Sequence, residues 1–308
     1  MAQLKILESR SLLQSLLSLA WVVEARDPYT GGHLWRVSQF SMLLAKETGC
    51  LKAEVARIGL GGFLHDLGKI GVPDRILNKP DKLTDEEYGV IKTHPRIGAN
   101  LIEGHPLFEL VQGAILLHHE TPDGKGYPEG RSGEAIPMDA RIVGLTDAFD
   151  AMTSSRPYRK GMPKERALEI VAANLGTQFD RTLGEAFIEL GKQGRLDCYI
   201  GHTEPRIPLL FCGACGTTVH VMKRHKEGDA VFCRGCGGGS RVHKHGEITS
   251  ISPLGRAGTA EELTAQVDMS LIHELMDVTF VDALAAPEPL EKGSFVGRIF
   301  EAFSRSPK

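Results

Sequence analysis

The sequence predicts an all-α first domain, a small β-rich metal-binding module after it, and a partly helical tail. Three observations point there. Apolar residues recur at helical spacing through roughly the first two hundred positions, with no alternating strand patterns between them. Two Cys-x-x-Cys pairs, Cys212/Cys215 and Cys233/Cys236, stand seventeen residues apart. Between these regions Gly201, Pro205 and Pro208 mark a change of composition. The expected domains are therefore residues 1–200, 207–246 and 247–308.

The chain has 308 residues, 42% of them hydrophobic and 24% charged, the balance of a folded protein and not of a disordered adaptor. Its net charge of -3 and pI near 6.5 exclude a global basic field, so long nucleic acid is not an expected partner. A small anion can still be held locally. Residues 12–23 are interrupted by Gln14, Ser15 and Ser18 and fall short of the roughly 20 residues a spanning helix needs, so no transmembrane segment is expected. Lys5 and Arg10 precede this stretch as in a signal peptide. It runs on through Glu24-Ala25-Arg26-Asp27 without a small-residue cleavage site, which favours an amphipathic first helix. Cysteines grouped as thiolate pairs suggest a reducing cytoplasm.

In chain order, helices are expected over 9–25, 34–46 (with Gly49 as a stop) and 54–67. Thr84 followed by Glu87 is a capping-box signal for a helix reaching His94, where Pro95 imposes a break or turn. Further helices are expected over 106–118, 138–152, 163–175 and 182–190. Residues 120–130 are dense in Gly and Pro and read as an exposed irregular loop directly after His118-His119. Short β-prone runs at 217–222 and 229–232 flank the cysteines. The tail offers a helical candidate at 260–284, a Pro-containing linker at 286–289 and an amphipathic stripe at 295–303. Such a stripe either packs on its own domain or meets a membrane or partner.

Two adjacent pairs, His65-Asp66 and His118-His119, carry immediate metal logic. Successive helical residues diverge by about 100°, so His65 and Asp66 can both face a metal cluster only if it lies alongside and between them. Imidazole with carboxylate suits iron, manganese or zinc. By spacing alone these remain candidates, because many proteins hold scattered His and Asp without ligating anything. Lys69 lies three residues beyond Asp66, on nearly the same face, and is either a solvated lysine or an ammonium beside the site.

The strings Gly31-Gly32-His33-Leu34-Trp35-Arg36-Val37, His65-Asp66-Leu67-Gly68-Lys69-Ile70-Gly71, His94-Pro95 and His118-His119-Glu120 resemble the HD-GYP family of cyclic di-GMP phosphodiesterases. So do Gly126-Tyr127-Pro128, residues 147–159 and Gly176-Thr177-Gln178-Phe179-Asp180, so the likeness spans about residues 10–195. The resemblance implies an HD-superfamily helical domain with a metal centre made of His33, His65, Asp66, His94, His118, His119 and Asp147, Asp66 bridging two divalent ions, iron or manganese. Two such ions would activate water and clamp an in-line phosphoryl displacement. It also implies that Asp66 and Lys69 serve catalysis, and that Gly126, Tyr127, Pro128, Arg156 and Arg159 line the substrate pocket. Asp27 and Asp150 would contact a base or orient the ligand, unless they are helix caps.

Some family members carry a Glu four residues before the first motif histidine, helping to hold a third metal. This chain has Tyr29 there. A two-metal site is therefore expected, with His119 the weakest ligand and linear 5′-pGpG the principal product. The rivals are a phosphodiesterase for cyclic GMP-AMP, a non-catalytic cyclic dinucleotide receptor signalling through the cysteine module, and an interaction scaffold.

The cysteine spacing matches a Cys₄ zinc ribbon, a closed structural site, with a redox dithiol or an iron-sulfur site as alternatives. Lys223, Arg224, His225, Lys226, Arg234, Arg241, His243, Lys244 and His245 make its surroundings basic. With few aromatics among them, a solvated face or a protein contact is expected there before nucleic acid. A protein partner through the 120–130 loop or the ribbon, and an oligomer, are further expectations, and the ribbon and tail are the expected input of any signal.

Overall fold

The computed structural model describes residues 2–26, 31–79, 81–155, 160–264 and 266–284. Asp27, Tyr29, Arg156 and Arg159 lie outside them, as do the 286–289 linker and the 295–303 stripe.

The first domain is helical throughout: α1 (Ala2–Glu24), α2 (His33–Glu47), α3 (Lys52–Leu64), α4 (Asp74–Leu77), α5 (Asp85–Ile91), α6 (His94–Leu101), α7 (Phe108–Leu117), α8 (Met138–Thr153), α9 (Lys164–Ala173) and α10 (Arg181–Lys192). α2 lies between two cores. Leu34 and Trp35 join Leu13, Leu17 and Trp21 of α1 and Leu60 and Phe63 of α3. Phe40 and Leu44 join Ile142 and Phe149 of α8 and Phe187 and Leu190 of α10. The Phe40, Phe149 and Phe187 rings meet edge to face at 4.9–6.3 Å. Burial on both sides leaves α2 no solvated face over most of its length.

Two expected helices end early, and both ends matter. α3 stops at Leu64, and a 3₁₀ turn over Leu67–Gly71 follows, so His65 and Asp66 occupy the joint between them. α5 carries the expected capping box: the Glu87 N–H donates to Thr84 Oγ1 at 3.3 Å and the Thr84 N–H to Glu87 Oε2 at 2.8 Å. It ends at Ile91 and does not reach His94. A new helix starts there, with Pro95 in its first turn, where a missing N–H costs nothing.

The second half is built from short antiparallel strands: β1 (His202–Glu204) with β2 (Ile207–Pro208), β3 (Leu210–Phe211) with β4 (Thr218–Val219), and β5 (Ala230–Phe232), β6 (Gly238–His245) and β7 (Ile248–Ala257) in one sheet. The β6–β7 hairpin runs straight through residue 246, where the sequence suggests a boundary, so the ribbon's strands continue to Ala257.

The expected helix at 260–284 is broken into α11 (Ala260–Leu263), α12 (Met269–Glu274), a π-turn at Leu275–Thr279 and a 3₁₀ turn at Val281–Leu284. Asp268 caps α12 by accepting from the Ser270 and Leu271 N–H groups. The tail then folds back: Leu271, Ile272, Leu275, Met276 and Phe280 complete the core begun by α1 and α3. Among the described residues no helix is long and apolar enough to cross a membrane.

Candidate metal centre

Six of the seven residues expected to ligate metal sit at ends or joints of helices. His33 opens α2, His65 and Asp66 follow α3, His94 opens α6, and His118 and His119 follow α7. Asp147 projects from the body of α8. Close approach of these ends needs Gly68, whose hypothetical Cβ would lie 1.8 Å from the His94 carbonyl oxygen. Glycine thus lets the His65-Asp66 turn and the start of α6 touch backbone to backbone.

The imidazoles are held from behind. Nδ1 of His65 meets the Gly62 carbonyl at 2.7 Å, that of His94 the Ile91 carbonyl at 2.8 Å, and that of His118 the Ala114 carbonyl at 2.9 Å. A carbonyl can only accept, so Nδ1 carries the proton in each ring and Nε2 presents a lone pair. His33 Nδ1 is held by the Asp150 carboxylate at 2.8 Å.

These Nε2 atoms converge on Asp66 from two sides. Oδ2 of Asp66 lies 3.5 Å from His33 Nε2 and 3.4 Å from His65 Nε2, while Oδ1 of Asp147 lies 3.4 and 3.8 Å from the same two nitrogens. The other oxygen, Oδ1, lies 3.3 Å from His94 Nε2, itself 3.3 Å from His118 Nε2. Ligand atoms of His94, His118 and His119 fall within 4.8 Å of one another, as do those of His33, His65 and Asp66. Donors about 2.1 Å from a shared ion sit roughly 3.0–3.4 Å apart, so these separations fit divalent cations. One buried atom makes the fit specific: His65 Nε2 has no hydrogen-bond partner, a cost that a cation would remove.

Electrostatics agree with a ligand role. Burial pushes the His94 and His118 imidazoles down, and His119 down to about 3, so all three are neutral. His33 goes the other way: burial opposes its charge, but Asp150 and Asp66 prevail and raise it to about 10. A proton on His33 and a cation are alternatives for neutralising the same carboxylates. Asp66 is held well below the carboxylate range against its burial by Lys69 and His65, the Lys69 Nζ lying 2.6 Å from Oδ2.

Asp150 requires a correction. Expected to contact substrate, it is 1% exposed, and its carboxylate is taken by His33 and by Arg36, whose Nε donates to Oδ1 at 2.6 Å and Nη2 to Oδ2 at 3.0 Å. It orients His33 and is out of a ligand's reach. Arg36, missed in the sequence, also donates to the Gly31 and His202 carbonyls. Its spacing was a usable signal: Arg36 lies three residues after His33, and Asp150 three after Asp147, so each shares a face with a ligand.

A cleft of about 330 Å³, the low end for small-molecule sites, opens over the centre and is lined by His118, His119, Asp147, Tyr127, Lys92 and Gln178, among others. Tyr127 stacks on His119 at 4.7 Å, and burial keeps its phenol protonated. Gly126 lines the cleft where a Cβ would lie 2.4 Å from the His119 carbonyl oxygen. Pro128 lies outside the lining, a second departure from expectation, because the chain there turns back to Glu120, whose Oε1 accepts from the Glu129 and Gly130 N–H groups. Lys92, not anticipated, places its ammonium 5.5 Å from the Tyr127 ring.

In the ribbon, Cys212, Cys215, Cys233 and Cys236 bring their sulfurs within 4.8 Å of one another, with Cys212–Cys236 at 3.6 Å and Cys215–Cys233 at 3.4 Å. A tetrahedral zinc with bonds near 2.3 Å would set them about 3.8 Å apart, so a closed four-thiolate site fits.

A family model described as the HD domain matches residues 18–183. The chain is 43% identical over 177 residues to the cyclic di-GMP phosphodiesterase response regulator RpfG of Xanthomonas campestris, covering 57% of this chain and 47% of that protein. It is 41% identical to a cyclic di-GMP phosphodiesterase of Pseudomonas aeruginosa (57% and 42% covered) and 36% identical to 3′3′-cGAMP-specific phosphodiesterase 3 of Vibrio cholerae (52% and 35% covered). The match thus spans less than half the length of each of these relatives.

Proposed function

The chain belongs to the HD-domain family, and from that premise we propose that it is a metal-dependent phosphodiesterase hydrolysing cyclic di-GMP, principally to linear 5′-pGpG. The observation that carries this reading is the division of Asp66: one oxygen faces His33 and His65 beside Asp147, the other faces His94 beside His118 and His119. A carboxylate so placed suits a bridge between two divalent ions, iron or manganese. Such ions, when bound, supply hydroxide near neutral pH and offset charge on the phosphate.

The chain's own residues orient and select. The carbonyl-anchored imidazoles keep their lone pairs aimed without reorganisation, and Asp150 holds His33 in place. Lys69, beside Asp66, is placed to orient the attacking water or a phosphate oxygen. Tyr127, its phenol pushed up by burial, and Lys92 offer donors to phosphate from the cleft wall. Arg156, Arg159 and Asp27 would bind substrate, as the resemblance implies. Tyr29, standing where a carboxylate would help hold a third ion, supports a reaction that stops at the linear product. In the ribbon, the four cysteines hold a structural zinc.

A second reading is a phosphodiesterase for cyclic GMP-AMP, favoured by the 36% identity to a relative named for that activity. The test is anaerobic purification, metal analysis, and product chromatography with both dinucleotides, wild type beside His65→Ala/Asp66→Ala. Turnover of cyclic di-GMP to 5′-pGpG by the wild type alone is expected. No turnover of either substrate with metals fully loaded overturns the proposal.

A further inference from the structure

Away from the metal centre, a second cleft of about 210 Å³ lies between the ribbon and the tail, bounded by the β4–β5 region and the segment after α11. Its lining is cationic on balance. Arg224 and Arg234 both contribute to it, and among the described residues neither has a carboxylate in ion-pair range: Arg224 donates to the Gln266 side-chain oxygen at 2.6 Å and Arg234 to the Ala25 carbonyl at 3.2 Å. Glu262, the acid in the lining, is already engaged by both Nη atoms of Arg256, at 2.8 and 2.7 Å. Two arginines therefore line one cavity without an ion pair, the carboxylate acting on Arg234 from a distance being Glu24 of α1, outside the lining.

His225 adds a directed donor. Its Nδ1 accepts the Met222 N–H at 2.9 Å, so when neutral the ring carries its proton on Nε2. Arg234 is half-buried, which penalises its charge, and Met222 and Val231 give the cleft buried apolar wall. Planar guanidinium forks with an N–H donor between apolar walls are the chemistry that recognises a phosphate group.

We propose that this cleft is a binding site for a small phosphate-bearing ligand, separate from the metal centre. Arg234 ties it to the helical domain: the guanidinium that would meet the ligand also lies 5.6 Å from the Trp21 ring and bonds the Ala25 carbonyl, just before the segment leading to His33. A ligand drawing on Arg234 is thereby felt at the end of α1.

The test uses the full chain carrying His65→Ala/Asp66→Ala, which removes the donors shared at the metal centre, and titrates inorganic phosphate and GMP by calorimetry. Saturable binding of at least one probe is expected, weakened tenfold or more by adding Arg224→Gln, an exposed position, and likewise by Arg234→Gln. Phosphate binding alone identifies the free ion as sufficient; GMP binding tighter than phosphate identifies a nucleotide. No saturable binding of either probe, or binding unchanged by both arginine substitutions, overturns the proposal. Because the parent protein lacks the donors at the heart of the metal centre and the arginine substitutions lie outside that centre, this result is independent of whether the chain hydrolyses cyclic di-GMP.

Discussion

The histidine–aspartate centre draws its donors from positions 33 to 147, on five helices and the joints beside them, whereas the cysteine centre draws its four from residues 212 to 236. His33, His65, Asp66, His94 and His118 are 6% exposed or less, and the four imidazoles are fixed by bonds that exist without any ion. In the ribbon Cys236 is exposed, the strands holding the first pair are two residues long, and the core amounts to Ile207, Val219, Val221, Val231 and Val242 with two of the cysteines themselves. So small a core cannot carry a fold alone. The difference teaches that the helical domain orders its donors by its own packing, whereas the ribbon, on the proposed reading, would need its metal to hold its strands together.

The largest effect should come from breaking the ribbon's side of that contrast. Cys233→Ser should abolish zinc binding and open residues 207–257 to protease, since structural zinc contributes on the order of 10–16 kcal/mol in isolated fingers. Mass spectrometry of the fragments reads the site of cleavage, and helical circular dichroism should largely persist. Equal melting of the helical domain on zinc loss would erase the distinction.

Next is Asp66→Ala, which removes the one group shared by both donor sets. Turnover should fall by more than about 100-fold, exceeding the loss typical of a supporting residue, with the helical circular dichroism retained. Asp150→Asn should cost about 10–100-fold in metal affinity or activity, because it weakens the hold on His33 without touching the donors. Metal titration separates the two: a variant with wild-type affinity would remove Asp150 from the positioning role.

The smallest effect concerns the seam where the ribbon meets the tail. Burial, with Asp268 beside it, pushes Glu204 up to about 8. The folded state therefore keeps a proton that the unfolded chain releases above about 4.5, so this contribution is full below that pH and is lost as pH rises toward about 8. Glu204→Gln should flatten the decline in melting temperature between pH 5 and 8 by several degrees. Burial also raises Glu24 to about 7, so part of the slope should survive the substitution. An unchanged slope assigns all of it elsewhere.

Local patterns made much of this molecule legible. Apolar spacing located α2, α8 and α10 to within two residues at each end, and the capping box of Thr84 and Glu87 appears as written. Adjacent pairs such as His65-Asp66 and paired cysteines also announce themselves, because their chemistry lies in neighbouring residues. The long tail helix failed for a local reason: Asp268 caps a new helix in the middle of the expected one. The β6 strand was passed over because its charged residues, Arg241, Lys244 and the two histidines, obscure alternation on a ribbon this exposed.

What the sequence by itself determined, then, is the order of helices, the ribbon, and the residue types able to bind metal, all consequences of periodicity and short-range spacing. The tertiary structure decided which of those residues meet. Only the packing of α2 against α8 turns Asp150 inward onto His33 and Arg36, and only the return of the tail puts Leu271 and Phe280 into the first core. Both are contacts between residues more than a hundred positions apart, and no local pattern along a chain encodes which distant faces will close on each other.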